Sequence, residues 1–420
     1  MTLWRKILLF ITVCLLSAAT VPAQVPGFYQ KKTEQKKTEL PVIISNNLIL
    51  VLVSINNGPP VNFLLDTGVK TNILFSKTFG DYIGLKYTRK LDLVGADGNS
   101  VLTASVSPNN YMDLGFLEGI HQTILVLDQD FMELERVIGL PVHGVLGFEF
   151  FKYNPVKIDY DQQMLTFYKP ETLPRKPFGY KKYPIKIENS KPYIMTKVKQ
   201  TNNQELNAKL LIDTGANHGL LLNMETTPEI KLPEAHIESE LGRSLGGDLF
   251  GFVARTRLLQ IGGIRFSDVL TSFPEETEFS YVIKESGRQG SVGSEILGRM
   301  TLIFDYTRDR MYMKKGSTYA SPFEFDMSGI TPRIEIGDEK IIYASQVREN
   351  SPAALAGLEE KDEFVKINKI PMDFWELPEL IKLLRSEEGK EIFLEVRRFK
   401  DASRTDFELK EIKFKLKRQI

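Results

Sequence analysis

The sequence predicts a mainly β protein in which two similar lobes form one bilobal unit, followed by a smaller α+β domain. Three observations predict it. The tripeptide Asp-Thr-Gly occurs twice, as FLLDTG at 63–68 and LLIDTG at 210–215, each time behind three apolar residues. The surroundings of the two copies repeat as well, and repetition at so long a period means two related lobes and not a solenoid. From about Ser321 the pattern changes to short strands around two helices.

The chain opens MTLWRK, continues ILLFITVCLLSAA and then reads TVPAQ. A basic start, a short apolar run and a small-residue site predict a signal peptide over 1–23, cut near Ala23. The run is too short to cross a bilayer, so no stable membrane span is expected after cleavage, and the protein is expected to be extracytoplasmic, periplasmic or secreted. The single cysteine, Cys14, lies in this leader, which leaves no thiol beyond it for a disulfide or a cysteine metal site. Lys plus Arg and Asp plus Glu are equal at 54 each, so no long-range field favours nucleic acid. The four histidines (His121, His143, His218, His236) never take the i, i+4 spacing of a zinc helix, and neither a metal nor another cofactor is expected. His218, five residues past Asp213, reads as solvent-facing, with a place in the lining of the cleft as the alternative.

Residues 24–40 read as a linker, 41–170 as the first lobe, 171–182 as a Pro-rich and charged joint, and 183–317 as the second lobe. Setting Asp66 on Asp213 brings GVLG (144–147) to within one position of GSVG (290–293), and from there VLGFEFFKYNPVKIDY runs ungapped beside SVGSEILGRMTLIFDY. Each half predicts a strand, the DTG loop, a turn-rich hairpin, a strand, a short helix and a final strand pair. Two carboxylates about 3 Å apart share one proton, which lets one acid and one base act on a single water. Each lobe supplies one. Asp66 and Asp213 are the candidate catalytic pair; Thr67, Gly68, Thr214 and Gly215 are their candidate supports, the hydroxyls bonding across the lobe junction and the glycines leaving room.

These residues make the chain resemble the bacterial two-lobed, retropepsin-like aspartic peptidases. The resemblance rests on FLLDTG and LLIDTG, on the GVLG and GSVG that in this family brace the catalytic loop, and on SEILGR (294–299), and it covers roughly 41–317. The family follows DTG with Ala or Ser; the second copy has Ala216, but the first has Val69 and then Lys70, which reads as a surface lysine. Retropepsins carry one flap per half, which implies flap roles for Gly95, Ala96, Asp97 and Gly98 and for Gly246, Gly247 and Asp248, closing over an extended peptide. An ordinary hairpin loop explains these tips equally well.

In the last part, 318–420, Ser351 reads as a helix N-cap, Pro352 as the first helical residue and Gly357 as the stop. LPELIKLLRSEEG (377–389) reads as a second helix that ends at Gly389 and puts Leu377, Leu380, Ile381 and Leu384 on one face. The segment resembles a bacterial PDZ domain, with SPA, AGL and KDEFVKINK as the matching stretches, and with Lys361 and Lys369 where the family has glycines. The resemblance implies a peptide-binding loop at Ser328, Gly329 and Ile330. The partners expected are polypeptide substrates and, at the PDZ domain, peptide C-termini. The leading expectation is an aspartic endopeptidase whose PDZ domain recruits substrate or partner; a non-catalytic peptide-binding protein and a structural assembly factor remain beside it.

Overall fold

The computed structural model describes residues 25–94, 101–130, 132–175, 177–244, 247–277, 280–337, 339–401 and 404–420. Each lobe is built on strands whose turns are written in the sequence. Leu48–Ile55 (LILVLVSI) hands over to Val61–Leu65 through Asn56 and Asn57, whose φ of 49° and 64° are the left-handed values that a tight hairpin turn asks for and that Asn tolerates. Val61–Leu65 then runs parallel to Gly144–Leu146, Phe63 opposite Gly144 and Leu65 opposite Leu146. The second lobe repeats this arrangement: Glu205–Ile212 lies parallel to Gly290–Val292, Leu210 opposite Gly290 and Ile212 opposite Val292. In both lobes the next short strand, Asn72–Leu74 or Leu220–Leu222, pairs antiparallel to the other side of that partner.

The lobes are joined by a sheet that neither owns. Among the described residues its order is Lys181–Pro184, Arg310–Lys315, Met300–Asp305, Val156–Asp159, Met164–Tyr168 and Lys37–Pro41. The seam lies between Val156–Asp159 of the first lobe and Met300–Asp305 of the second, Ile158 facing Leu302. Above it Phe151 packs on Phe304 and Tyr306, ring centroids 5.5 and 5.4 Å apart. One buried core runs through both lobes.

Two segments read as linkers are therefore not linkers. Gly27–Gln30 pairs with Leu117–Leu127, and Lys37–Pro41 with Met164–Tyr168, so the described part of that first segment, 25–40, is woven into the first lobe and the shared sheet. The joint 171–182 likewise enters the shared sheet at Lys181, and the Thr172 hydroxyl bonds the Lys36 carbonyl at 2.7 Å. In both cases the partner strand lies far along the chain, where no local pattern reveals it.

The C-terminal domain has its own core. Its sheet runs Ile330–Ile336, Lys340–Val347, Glu363–Ile367, Glu391–Phe399, Phe407–Lys415, which leaves Ile330–Ile336 at an edge. The passage between cores falls between Phe323, which belongs to the lobes, and Met327, which belongs to this domain, and so later than 318. Ser351 caps Pro352–Leu355 through a 3.2 Å bond from the Ala354 N–H. The second helix spans Leu377–Leu384 and stops short of Gly389, because Ser386 turns back on the Leu383 carbonyl through both its N–H (3.1 Å) and its hydroxyl (2.7 Å). Leu377, Leu380 and Leu384 are buried, while Ile381 is only partly so. Lys361 and Lys369 both adopt φ of 69°, the left-handed geometry for which the resemblance has glycine.

The stretch between the domains is pinned. Arg299 donates to the carbonyls of Ser321 and Pro322 and stacks 3.6 Å from the centroid of Phe323. Arg255 donates to the Phe323 carbonyl at 3.1 Å, and the Tyr319 hydroxyl to that of Arg265 at 2.6 Å.

Candidate active site

The two DTG loops meet at the lobe junction, and four hydrogen bonds make the meeting specific. The Thr67 hydroxyl donates to the Ile212 carbonyl (2.6 Å) and accepts from the Thr214 N–H (3.1 Å); the Thr214 hydroxyl donates to the Leu65 carbonyl (2.9 Å) and accepts from the Thr67 N–H (3.1 Å). Both threonines are fully buried. The parallel strands set the depth of each loop: the Asp66 N–H donates to the Leu146 carbonyl and the Asp213 N–H to that of Val292, each at 2.9 Å. The Gly68 N–H donates to Asp66 Oδ1 at 2.6 Å and the Gly215 N–H to Asp213 Oδ1 at 3.1 Å. The structure thus brings Asp66, Thr67, Gly68, Asp213, Thr214 and Gly215 together, with both carboxyls against Gly68.

The glycines are required by space. A Cβ on Gly215 would stand 2.2 Å from Cγ and Oδ2 of Asp66. One on Gly68 would stand 3.1 Å from Asp66 Oδ1 and 3.4 Å from both carboxyl oxygens of Asp213. Burial above all, and then the neighbouring Asp213, pushes the Asp66 carboxyl from an ordinary 3.8 up to about 8, so the pair keeps one proton at neutral pH.

Of three residues near the dyad, two escaped the sequence reading and the third, His218, takes the lesser of its two expected places. His218 does not face solvent: it lines the cleft, its Nε2 lies 2.9 Å from Ser291 Oγ, and burial holds its imidazole below the usual range. Lys191 and Arg288 also line the cleft. Burial first, and then Arg288, holds the Lys191 ammonium below the ordinary lysine range. Lys191 follows the Asn189-Ser190 turn, a signal that marks the hairpin but not the direction of its side chain. Lys70 is exposed, as a surface lysine should be.

Of the flap candidates, Gly95, Ala96, Asp97, Gly98 and Gly246 lie outside the described residues; Gly247 begins strand Gly247–Ile261. That strand and His236–Ser244 form the expected hairpin. Asp248 is committed to the C-terminal domain: Arg333 on the edge strand Ile330–Ile336 bridges Glu240 and Asp248, the latter at 3.6 Å. Across the cleft, helix Leu134–Ile138 of the first lobe packs on the same edge strand and on Leu377–Leu384. The result is a cavity of about 650 Å³ with three walls, in which Asp66 and Asp213 share the lining with Ile330, Pro332, Ile381 and Leu384.

The candidate peptide-binding loop is already engaged. Asp326 accepts from the Ser328 N–H (3.0 Å), the Ser328 hydroxyl (2.5 Å), the Gly329 N–H (2.6 Å) and Arg348 (3.2 Å), while the Ile330 N–H donates to the Ser328 hydroxyl (3.0 Å). The chain's own carboxylate sits where the resemblance would place a peptide terminus.

Among the described residues no group of three or more His, Cys, Asp and Glu is placed to hold a metal, and no helix is long and apolar enough to cross a membrane.

Comparison with known proteins adds two matches to family models: residues 51–150 to that described as Aspartyl protease and residues 343–398 to that described as PDZ domain. No curated protein matches the chain. Among solved structures, the crystal structure of Basic 7S globulin from soybean is 11% identical, with a TM-score of 0.40 over 69% of this chain and 99% of that one. The chain joins an aspartyl protease domain, built as two retropepsin-like lobes, to a C-terminal PDZ domain.

Proposed function

We propose that this protein is an aspartic-type endopeptidase that acts outside the cytoplasm, periplasmic or secreted, and hydrolyses polypeptides with a water held between Asp66 and Asp213. Asp213 takes a proton from the water as its oxygen attacks the amide carbonyl, and Asp66 gives its proton to the carbonyl oxygen. The tetrahedral intermediate collapses when Asp213 passes its proton to the departing nitrogen and Asp66 recovers one from the former carbonyl oxygen, which breaks the C–N bond and restores the pair.

The observation that carries this reading is the crossed pair of buried threonines, which aims one carboxyl from each lobe at a single point. The raised Asp66 supports it, since a protonated acid beside a second carboxylate is what the chemistry needs. The leader at 1–23 supports the location. The test is cleavage of a random peptide library by the full chain, with and without pepstatin. Asp66→Asn and Asp213→Asn should each remove nearly all cleavage and the double variant should be hardly worse, because two groups acting on one water cannot have additive effects. An active single variant would overturn the dyad.

A further inference from the structure

The two lobes are copies, so positions at which the copies differ show what was changed. The antiparallel ladder that pairs Leu50 with Leu64 brings Leu48, two residues earlier, opposite Asp66. Its copy, which pairs Tyr193 with Leu211, brings Lys191 opposite Asp213. Both residues follow a two-residue turn at positive φ, Asn46-Asn47 in one lobe and Asn189-Ser190 in the other, and both line the catalytic cavity. Leu48 is 4% exposed in an apolar cluster. A second twin pair repeats the exchange: two residues before Gly144 stands Val142, buried, and two residues before Gly290 stands Arg288, which lines the cavity.

Neither cation has an ion pair or a side-chain hydrogen bond among the described residues, and the Arg288 Nε is buried without a partner. Two cations without a directly paired carboxylate, close enough for Arg288 to weaken the Lys191 ammonium, repel each other in the cleft, an arrangement that an incoming anion relieves. The acids nearby do not supply it. Asp66 and Asp213 attract Lys191 only through space, Glu240 pairs with Arg333 and Asp326 with Arg348, Glu295 lies 4.0 Å from Arg299 with its own carboxyl pushed up by burial, and Glu275 is exposed. His218 is bonded to Ser291.

We infer that Lys191 and Arg288 form an anion subsite on the second-lobe side of the cleft, which takes an Asp or Glu side chain of the substrate, while the Leu48 side takes an apolar one. The inference rests on the peptidase reading and deepens it: the substrate class is a polypeptide with an acidic residue on one side of the scissile bond and an apolar residue on the other. The carboxylate accepts charge-assisted hydrogen bonds from the ammonium and the guanidinium, and the same contact is lost to an uncharged Gln of equal shape.

The test walks a single Glu, or Gln, through the positions on both sides of the scissile bond of a cleaved peptide. At one position Glu should exceed Gln in kcat/KM by roughly tenfold or more, and Lys191→Met or Arg288→Met should bring that ratio close to one. Lys191→Glu should reverse it in favour of Lys. A ratio near one at every position in the wild type overturns the subsite. So does a Lys191→Met variant whose pH profile moves while its Glu preference stays, since Lys191 would then act only on the dyad. Binding separates this from the peptidase reading. If no peptide is cut, that reading fails, but calorimetry with a statine-containing peptide carrying Glu or Gln still decides the subsite. Tighter binding of the Glu form by the wild type, lost in Lys191→Met, upholds it; equal affinity, or no binding of either, overturns it.

Discussion

Replacing Thr67 by Val keeps the shape of the side chain and removes the hydroxyl that spans the lobe junction. The hydroxyl makes two bonds there, to the Ile212 carbonyl at 2.6 Å and from the Thr214 N–H at 3.1 Å, in a place with no solvent exposure. Each backbone group left without its partner in such a place costs about 1–3 kcal/mol, so the substitution should cost about 2–6 kcal/mol in the two-lobed unit. The site should suffer beyond the stability loss, because an aspartate loop displaced by about 1 Å can lower kcat roughly a hundredfold. Two probes separate the parts of the molecule. The tryptophans are Trp4 and Trp375, so in a protein produced from residue 24 onward fluorescence reports the PDZ domain, while the tyrosine band of the near-ultraviolet dichroism reports mainly the lobes, which hold every Tyr but Tyr343. Thr67→Val should lower the dichroism transition, and Thr67→Ser, which keeps the hydroxyl, should recover most of the loss in both stability and rate. If Thr67→Val melts within about 0.5 kcal/mol of wild type and keeps full activity, the crossed threonines do not hold the dyad together.

Four further outcomes follow. The folded chain keeps a proton on Asp66 that the unfolded chain has released, so this contribution to stability is complete below about pH 4 and is lost as pH rises towards about 8; Asp66→Asn should flatten melting temperature against pH in that window. Gly215→Ala should lower kcat at least a hundredfold, and Gly68→Ala distinctly less, because the new methyl would collide with Asp66 in the first case and needs a shift of only a few tenths of an ångström in the second; equal effects on rate would contradict the site geometry. Lys361→Gly should raise the Trp375 transition by about 0.5–1 kcal/mol, since a left-handed non-glycine residue costs about 1–2 kcal/mol and the backbone freedom of glycine takes back part of the gain. Arg333→Met should speed hydrogen exchange in strand His236–Ser244 roughly tenfold, because Glu240 and Asp248 lose their shared cation; unchanged exchange would show that the PDZ domain does not hold this hairpin.

What the sequence made legible is what it states locally and states twice. The paired DTG loops, the GVLG and GSVG braces and the Ser351 cap all appear where their motifs place them, because backbone bonds within a few residues, or between copies of one motif, decide them. The strands at 27–30 and 37–41 escaped because a segment of four or five residues carries too little periodicity and takes its conformation from a distant partner. The inward turn of His218 depends on Ser291, far along the chain. The end of Leu377–Leu384 was set by Ser386 rather than by the conspicuous Gly389. Lys191 was invisible as a site residue for a different reason: it shares neither residue type nor charge with its twin Leu48, and comparison of the copies looks for what agrees.

The position of the PDZ domain changes what its presence means. Peptide capture by strand addition needs a free sheet edge, a facing helix and open N–H donors at the loop. Here the edge strand Ile330–Ile336 and the helix Leu377–Leu384 pack against Leu134–Ile138 of the first lobe, Arg333 of that strand bridges the hairpin of the second, and Asp326 takes the loop donors. The groove-forming residues Ile330, Ile381 and Leu384 line the cavity that holds the dyad. A recruiter on a loose tether would leave its groove open and its protease indifferent to it, whereas this domain is pinned through Arg299, Arg255 and Tyr319 and contributes apolar surface beside the reacting atoms. Its edge strand and helix therefore form a third wall of the cavity that holds Asp66 and Asp213.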